Sequence, residues 1–158
     1  MRPRRHTLVR MDLPTALTLA RTLMDAHGLT RWELTLDHAK RRAGQTNFTR
    51  RCISLSRHFL ALYDESRVRE VVLHEIAHAL VGPDHAHDGI WRATAAQIGA
   101  RPQRCITDGP RPKAPYRGTC INGHTIERYR LPRRPISCAT CSARYNPAYA
   151  FTWQRQEA

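Results

Sequence analysis

Acidic residues are scarce in this chain. Asp and Glu number 13 against 26 Lys and Arg in 158 residues, which leaves a net charge of +13. Beyond Glu75 the only glutamates are Glu127 and Glu157. Cysteine is sparse and odd in number, five in all, so the thiols cannot all be paired. With no secretory signal, nothing favours an oxidising compartment. Long apolar runs are missing too. The apolar stretch near the amino terminus is interrupted by Arg21 and Asp25 and is patterned as an amphipathic helix. It is neither a signal core nor a membrane span. The expected location is the cytoplasm, or the nucleoid if the source is prokaryotic or phage, with no membrane partner.

What is present is concentrated at His74-Glu75-Ile76-Ala77-His78. Residues four apart share one face of a helix, so His74 and His78 can grip one metal ion. Glu75, next to them, is placed to accept a proton from an attacking water. Val68, Val71, Val72, Ile76, Ala79 and Leu80 recur at helical spacing, which predicts a core-packed helix over about 66–81. Buried polar groups on such a helix need a partner, and a metal supplies one. The alternative is a plain polar face.

Catalytic zinc takes three protein ligands and leaves one position open. Gly82-Pro83 should stop the helix, and Asp84, His85, His87 and Asp88 follow, all chemically able to bind zinc. The spacing HExxHxxGxxH is not met, because Gly82 and His85 each fall one residue late. A glutamate ligand is disfavoured by the scarcity noted above.

His74 to His78, then Gly82, then His87-Asp88-Gly89-Ile90-Trp91 resembles the SprT-like zinc metalloproteases, the family of the Spartan DNA–protein-crosslink proteases. That family takes its third zinc ligand from a histidine in an HGxxW-like segment. The resemblance therefore assigns the role to His87, four residues before Trp91, with His85 as the runner-up. Asp88 stands where the family usually has glycine, and Gly89 comes one place later.

The resemblance extends upstream. Asp12 should cap a helix with apolar positions Leu13, Ala16, Leu17, Ala20, Leu23 and Met24, ending at Gly28. Trp32, Leu34 and Leu36 alternate with polar residues, the pattern of a half-buried strand. Lys40-Arg41-Arg42-Ala43-Gly44 reads as a basic turn and Cys52–Ser56 as a second strand, with a connecting segment before the metal-binding helix. Ile90, Trp91, Thr94, Ala95 and Ile98 mark a third helix closing at Gly99. The expected fold class is α+β: a minimal zincin over residues 1–100, followed by a small zinc ribbon. Cys52, Cys105, His6, His27, His38 and His58 belong to no constellation.

Pro102, Pro110, Pro112 and Pro115 mark residues 101–115 as a linker. In 116–158, Cys120-x3-His124 and Cys138-x2-Cys141 offer two chelating turns, and three thiolates with one imidazole suit a closed tetrahedral zinc site. A disulfide is the competing use of these thiols. SprT-like proteins commonly end in such a ribbon, usually with a further cysteine near Gly118; here His124 completes the set. A ribbon this small would draw much of its folding free energy from zinc. The expected cofactors are thus two zinc ions, one catalytic and one structural.

The charge is uneven: residues 101–158 carry a net +8 and the first hundred a net +5. Tyr116, Tyr129, Tyr145, Tyr149, Phe151 and Trp153 are interleaved with the basic residues of the tail. Cations neutralise phosphates, and aromatics either stack on unpaired bases or fill the ribbon's core. The expected partner is DNA, single strands included, with Lys40, Arg41, Arg42, Arg50, Arg51, Arg128, Arg130, Arg133 and Arg134 as contacts. The combined expectation is a zinc metallopeptidase acting on proteins bound or crosslinked to DNA. The rivals are a non-catalytic zinc-containing nucleic-acid-binding protein and a zinc hydrolase of a non-protein amide.

Overall fold

A computed structural model describes residues 9–104 and 109–157; His6, Cys105 and Asp108 lie outside them. The chain divides into two compact units, Met1–Pro112 and Lys113–Ala158, with the boundary inside the proline-rich stretch.

The first unit is α+β. Helix α1, Leu13–Ala26, starts where the Asp12 carboxylate accepts from the Thr15 amide at 2.9 Å, which satisfies one of the helix's orphan donors. It buries Ala16, Ala20 and Met24. Arg21, the charge that interrupts the apolar stretch, has a structural use. Its guanidinium donates to the carbonyls of Leu29 (2.8 Å) and Trp32 (2.7 Å), tying the helix to the start of the sheet. Strands β1 (Glu33–Asp37), β2 (Gly44–Asn47) and β3 (Cys52–Ser56) form a sheet in the order β1-β3-β2. β1 runs parallel to β3 and β2 antiparallel to it. Central β3 is the buried strand, with Cys52, Ile53, Leu55 and Ser56 all inside.

A short helix, α2 (Arg57–Leu60), follows directly, capped by Ser56. The long helix α3 (Glu65–Val81) then packs against α1, β2 and α4 (Gly89–Gln97). Its Val68, Val72 and Ile76 are fully buried. Leu80, expected in the same stripe, is instead 43 % exposed. Steps of four residues advance about 40° each around a helix of 3.6 residues per turn, so by the fourth member the stripe has rotated off the core. Ile90 is likewise exposed; Trp91 and Ala95 are the buried face of α4.

In the second unit β4 (Tyr116–Thr119), β5 (Thr125–Arg128) and β6 (Thr152–Arg155) form an antiparallel sheet in the order β5-β4-β6. Its buried apolar residues are few: Ala114, Cys120 and Cys138 among those described. Trp153 lies flat over Gly118, where a β-carbon would come within 3.0 Å of the indole.

Candidate active site

Two elements deliver three imidazoles to one point. Helix α3 presents His74 and His78 one turn apart, and the loop after it returns His87. The Nε2 atom of His87 lies 3.0 Å from that of His78 and 3.1 Å from that of His74. Tetrahedral zinc with Zn–N bonds of about 2.0–2.1 Å holds neighbouring ligand nitrogens roughly 3.3 Å apart, so the three rings fit a single ion. Burial, reinforced by repulsion from the neighbouring rings, lowers the pKa of His74 to about 4. Burial and His87 do the same for His78, against an opposing hydrogen bond to the His85 backbone. Neutral imidazoles with free lone pairs are the form a metal requires.

The loop shows why His87 and not His85 reaches the cluster. His87 adopts a left-handed backbone, φ +60°, a conformation uncommon outside glycine that clusters at functional sites. The next residue, Asp88, then caps α4 by accepting from the Trp91 amide at 3.0 Å. The other oxygen of Asp88 lies 2.7 Å from Nδ1 of His85. This pair holds the His85 ring outside the triad, while the backbone of His85 steadies His78. Asp88 thus ends the loop and starts α4.

Trp91 is fully buried and packs against all three rings, with centroid separations of 4.8 Å to His74, 5.1 Å to His78 and 4.5 Å to His87. Two buried ring nitrogens, His74 Nδ1 and Trp91 Nε1, have no hydrogen-bond partner among the described residues.

Glu75 faces strand β2. It is only 7 % exposed, and burial raises its pKa to about 7, with Thr46 and Arg42 acting in the opposite direction. Thr46 Oγ1 donates to Glu75 Oε2 at 2.8 Å and lies 2.9 Å from the Glu75 carbonyl. Gly44 gives the carboxylate its space: a β-carbon there would stand 2.7 Å from Glu75 Cγ. A carboxyl poised near neutrality beside a metal-ligand set is suited to general-base work. Gly44, Thr46 and the whole of β2 (Gly44–Asn47) are additions to the expected elements, in which the basic turn ends at Gly44 and the next strand begins at Cys52. Four residues are too few to establish a period of two. The usable signal is Gly44 itself, since glycine in a strand marks a close approach by another group.

The triad and Glu75 line one cleft of about 400 Å³, together with Arg41, Arg42, Arg104 and Arg111. Of the basic residues singled out in sequence, Arg42 is ion-paired with Asp37 at 2.7 Å. Lys40, Arg41, Arg50 and Arg51 are exposed in the first unit, and Arg128, Arg130, Arg133 and Arg134 in the second.

The second unit gathers Cys120, His124, Cys138 and Cys141, with all four ligand atoms within 4.8 Å of one another. His124 Nδ1 lies 3.2 Å from Cys141 Sγ and 3.6 Å from both Cys120 and Cys138 Sγ. Cys120 and Cys141 Sγ are 3.9 Å apart, too far for a disulfide and about the spacing of thiolates sharing one tetrahedral ion. Asn122 donates to Cys141 Sγ at 3.3 Å. Three sulfurs and one ring nitrogen converging this closely fit zinc, and the cluster is consistent with a zinc ribbon.

Among the described residues no helix is long and apolar enough to cross a membrane. No curated protein and no solved structure matches the chain. The family model described as the SprT-like family matches residues 16–109, more than half of the chain. That span includes α3, the His74–His78–His87 cluster and Glu75, and the chain belongs to the SprT-like family.

Proposed function

We propose that this protein is a zinc-dependent peptidase that cleaves proteins bound or crosslinked to DNA. The observation that carries the peptidase reading is the pairing of the histidine cluster with a buried carboxyl, Glu75, held by Thr46. A purely structural metal site has no use for that carboxyl, which counts against the non-catalytic rival. His74, His78 and His87 would hold the catalytic ion. When bound, zinc supplies Lewis acidity, bringing the pKa of water from 15.7 towards about 7 and polarising a carbonyl oxygen. Glu75 accepts the proton of the attacking water and passes it to the departing amine. Burial moves its pKa up towards neutrality, the range in which a carboxyl can both take and return a proton.

A peptide substrate is supported by strand β2. Among the described residues it pairs within its sheet with β3 alone, so its other edge offers backbone groups beside Glu75, the geometry for docking an extended chain. DNA as the partner is supported by the net +8 of residues 101–158 and by the exposure of Arg128, Arg130, Arg133 and Arg134, with Lys40 contributing in the first unit. Tethering on DNA raises the effective concentration of a protein target. Cys120, His124, Cys138 and Cys141 would hold the structural zinc of the ribbon.

The test is digestion of a basic DNA-binding protein by the zinc-loaded chain, with and without single-stranded DNA. DNA should accelerate cleavage, and the acceleration should fade as salt rises. Glu75→Gln should lower turnover by about two to four orders of magnitude with zinc retained. Cleavage by Glu75→Gln at the native rate overturns the peptidase reading; equal rates without DNA at low salt overturn the DNA half.

A further inference from the structure

The cleft has a charge pattern that the proposed chemistry does not use. Arg41, Arg42, Arg104 and Arg111 line it alongside His74 and Glu75. Among the described residues, Arg42 is the one of the four that is ion-paired, with Asp37. Arg41, Arg104 and Arg111 are exposed and make no ion pair with another described residue. Among the described residues Glu75 is the sole acid in the lining, and it is buried. The deeper wall is apolar, formed by Phe59, Tyr63 and Val71. Arg104 and Arg111 line the same cleft as His87, so their charge lies beside the reacting centre.

We infer that the cleft selects peptides carrying an acidic side chain, glutamate above all, next to the bond to be cut. The inference rests on the peptidase reading above and names its substrate class. An aliphatic stem can lie on Phe59 and Val71 while its carboxylate meets Arg104 and Arg111. An arginine and a carboxylate form short charge-assisted hydrogen bonds, frequently two in parallel. Lysine or arginine at the same place would meet the like charges of Arg41, Arg104 and Arg111. A nucleic-acid backbone is the other polyanion that could occupy the arginines. The observations favour the peptide: the arginines share the cleft with Glu75 and the histidines, and a phosphodiester chain lying there would displace the scissile bond. About 400 Å³ also accommodates side chains rather than a duplex.

The test uses the full zinc-loaded chain and three internally quenched peptides that differ at one position beside the scissile bond, Glu, Gln or Lys. Each is assayed with and without oligothymidylate. The expected order of kcat/KM is Glu, then Gln, then Lys, with Glu ahead of Gln by about tenfold at low salt and the advantage shrinking as salt rises. The double variant Arg104→Gln/Arg111→Gln should bring the Glu-to-Gln ratio close to one; because it is a ratio within one variant, lost folding cannot imitate it. Gln or Lys cleaved as well as Glu overturns the inference and leaves the peptidase reading intact. A ratio unchanged in the double variant overturns the assignment to these arginines. Oligothymidylate raising KM for the Glu peptide competitively shows that the arginines hold phosphate, which also overturns it. Cleavage of none of the peptides, with or without DNA and with zinc content verified, brings down the peptidase reading and the inference together.

Discussion

Gly44 and Glu75 are in contact without a side chain on the strand's side: a β-carbon at Gly44 would lie 2.7 Å from Cγ and 2.9 Å from Oε1 of Glu75. The edge strand therefore sets the position of the proposed base. Gly44→Ala should push the carboxylate away from the histidines. A displacement of about 1 Å at a reacting group costs on the order of 10²-fold in rate. Steady-state kinetics with parallel zinc analysis should show kcat reduced to that degree and the metal retained. Native kcat in Gly44→Ala would mean that Glu75 does not need this position.

Thr46 donates to the same carboxylate, and its hydroxyl favours the charged form. In Thr46→Val that support is lost, so the Glu75 pKa should rise from its already elevated value. A base is active when ionised, so the acidic limb of kcat/KM should move to higher pH. One hydrogen bond of about 1 kcal/mol shifts the limb by roughly 0.7 of a pH unit, so the rate should fall by about threefold at pH 7 and about fivefold well below it. A pH profile superimposable on the native one would remove Thr46 from the positioning of Glu75.

Metal analysis should find two zinc ions per chain, because the two ligand sets lie in separate units. Cys138→Ser or Cys141→Ser should lose one equivalent. With so little buried apolar surface in the second unit, that loss should also abolish its cooperative melting. Retention of both equivalents would refute the ribbon ligands.

His87→Ala should release the catalytic zinc, whereas His85→Ala should keep it. The reason is geometric: His85 serves His78 through its backbone, which alanine preserves, and its own ring is held by Asp88. Asp88→Ala should lower stability by about 1 kcal/mol through the lost helix cap, read from urea unfolding. Selective loss of zinc in His85→Ala would reverse the ligand choice.

The sequence by itself determined what depends on local spacing. His74 and His78 share a face because the helix repeat makes it so, and Gly82-Pro83 ended α3 where expected. The chelating turns at Cys120 and Cys138 were legible for the same reason, as each folds back within a few residues. The buried Ala16–Ala20–Met24 stripe of α1 followed from its period. Local spacing left His85 and His87 both open and the family resemblance assigned His87; the tertiary structure supplied the reason, the left-handed backbone of His87 and Asp88 engaging His85 and α4 together. It also decided the use of β2: Gly44 and Thr46 meet Glu75 across 31 and 29 positions of chain, and no short-range pattern encodes a contact made only when the sheet packs on α3. Leu80 shows the same division in reverse, a residue at helical spacing that the limited extent of the core leaves in solvent.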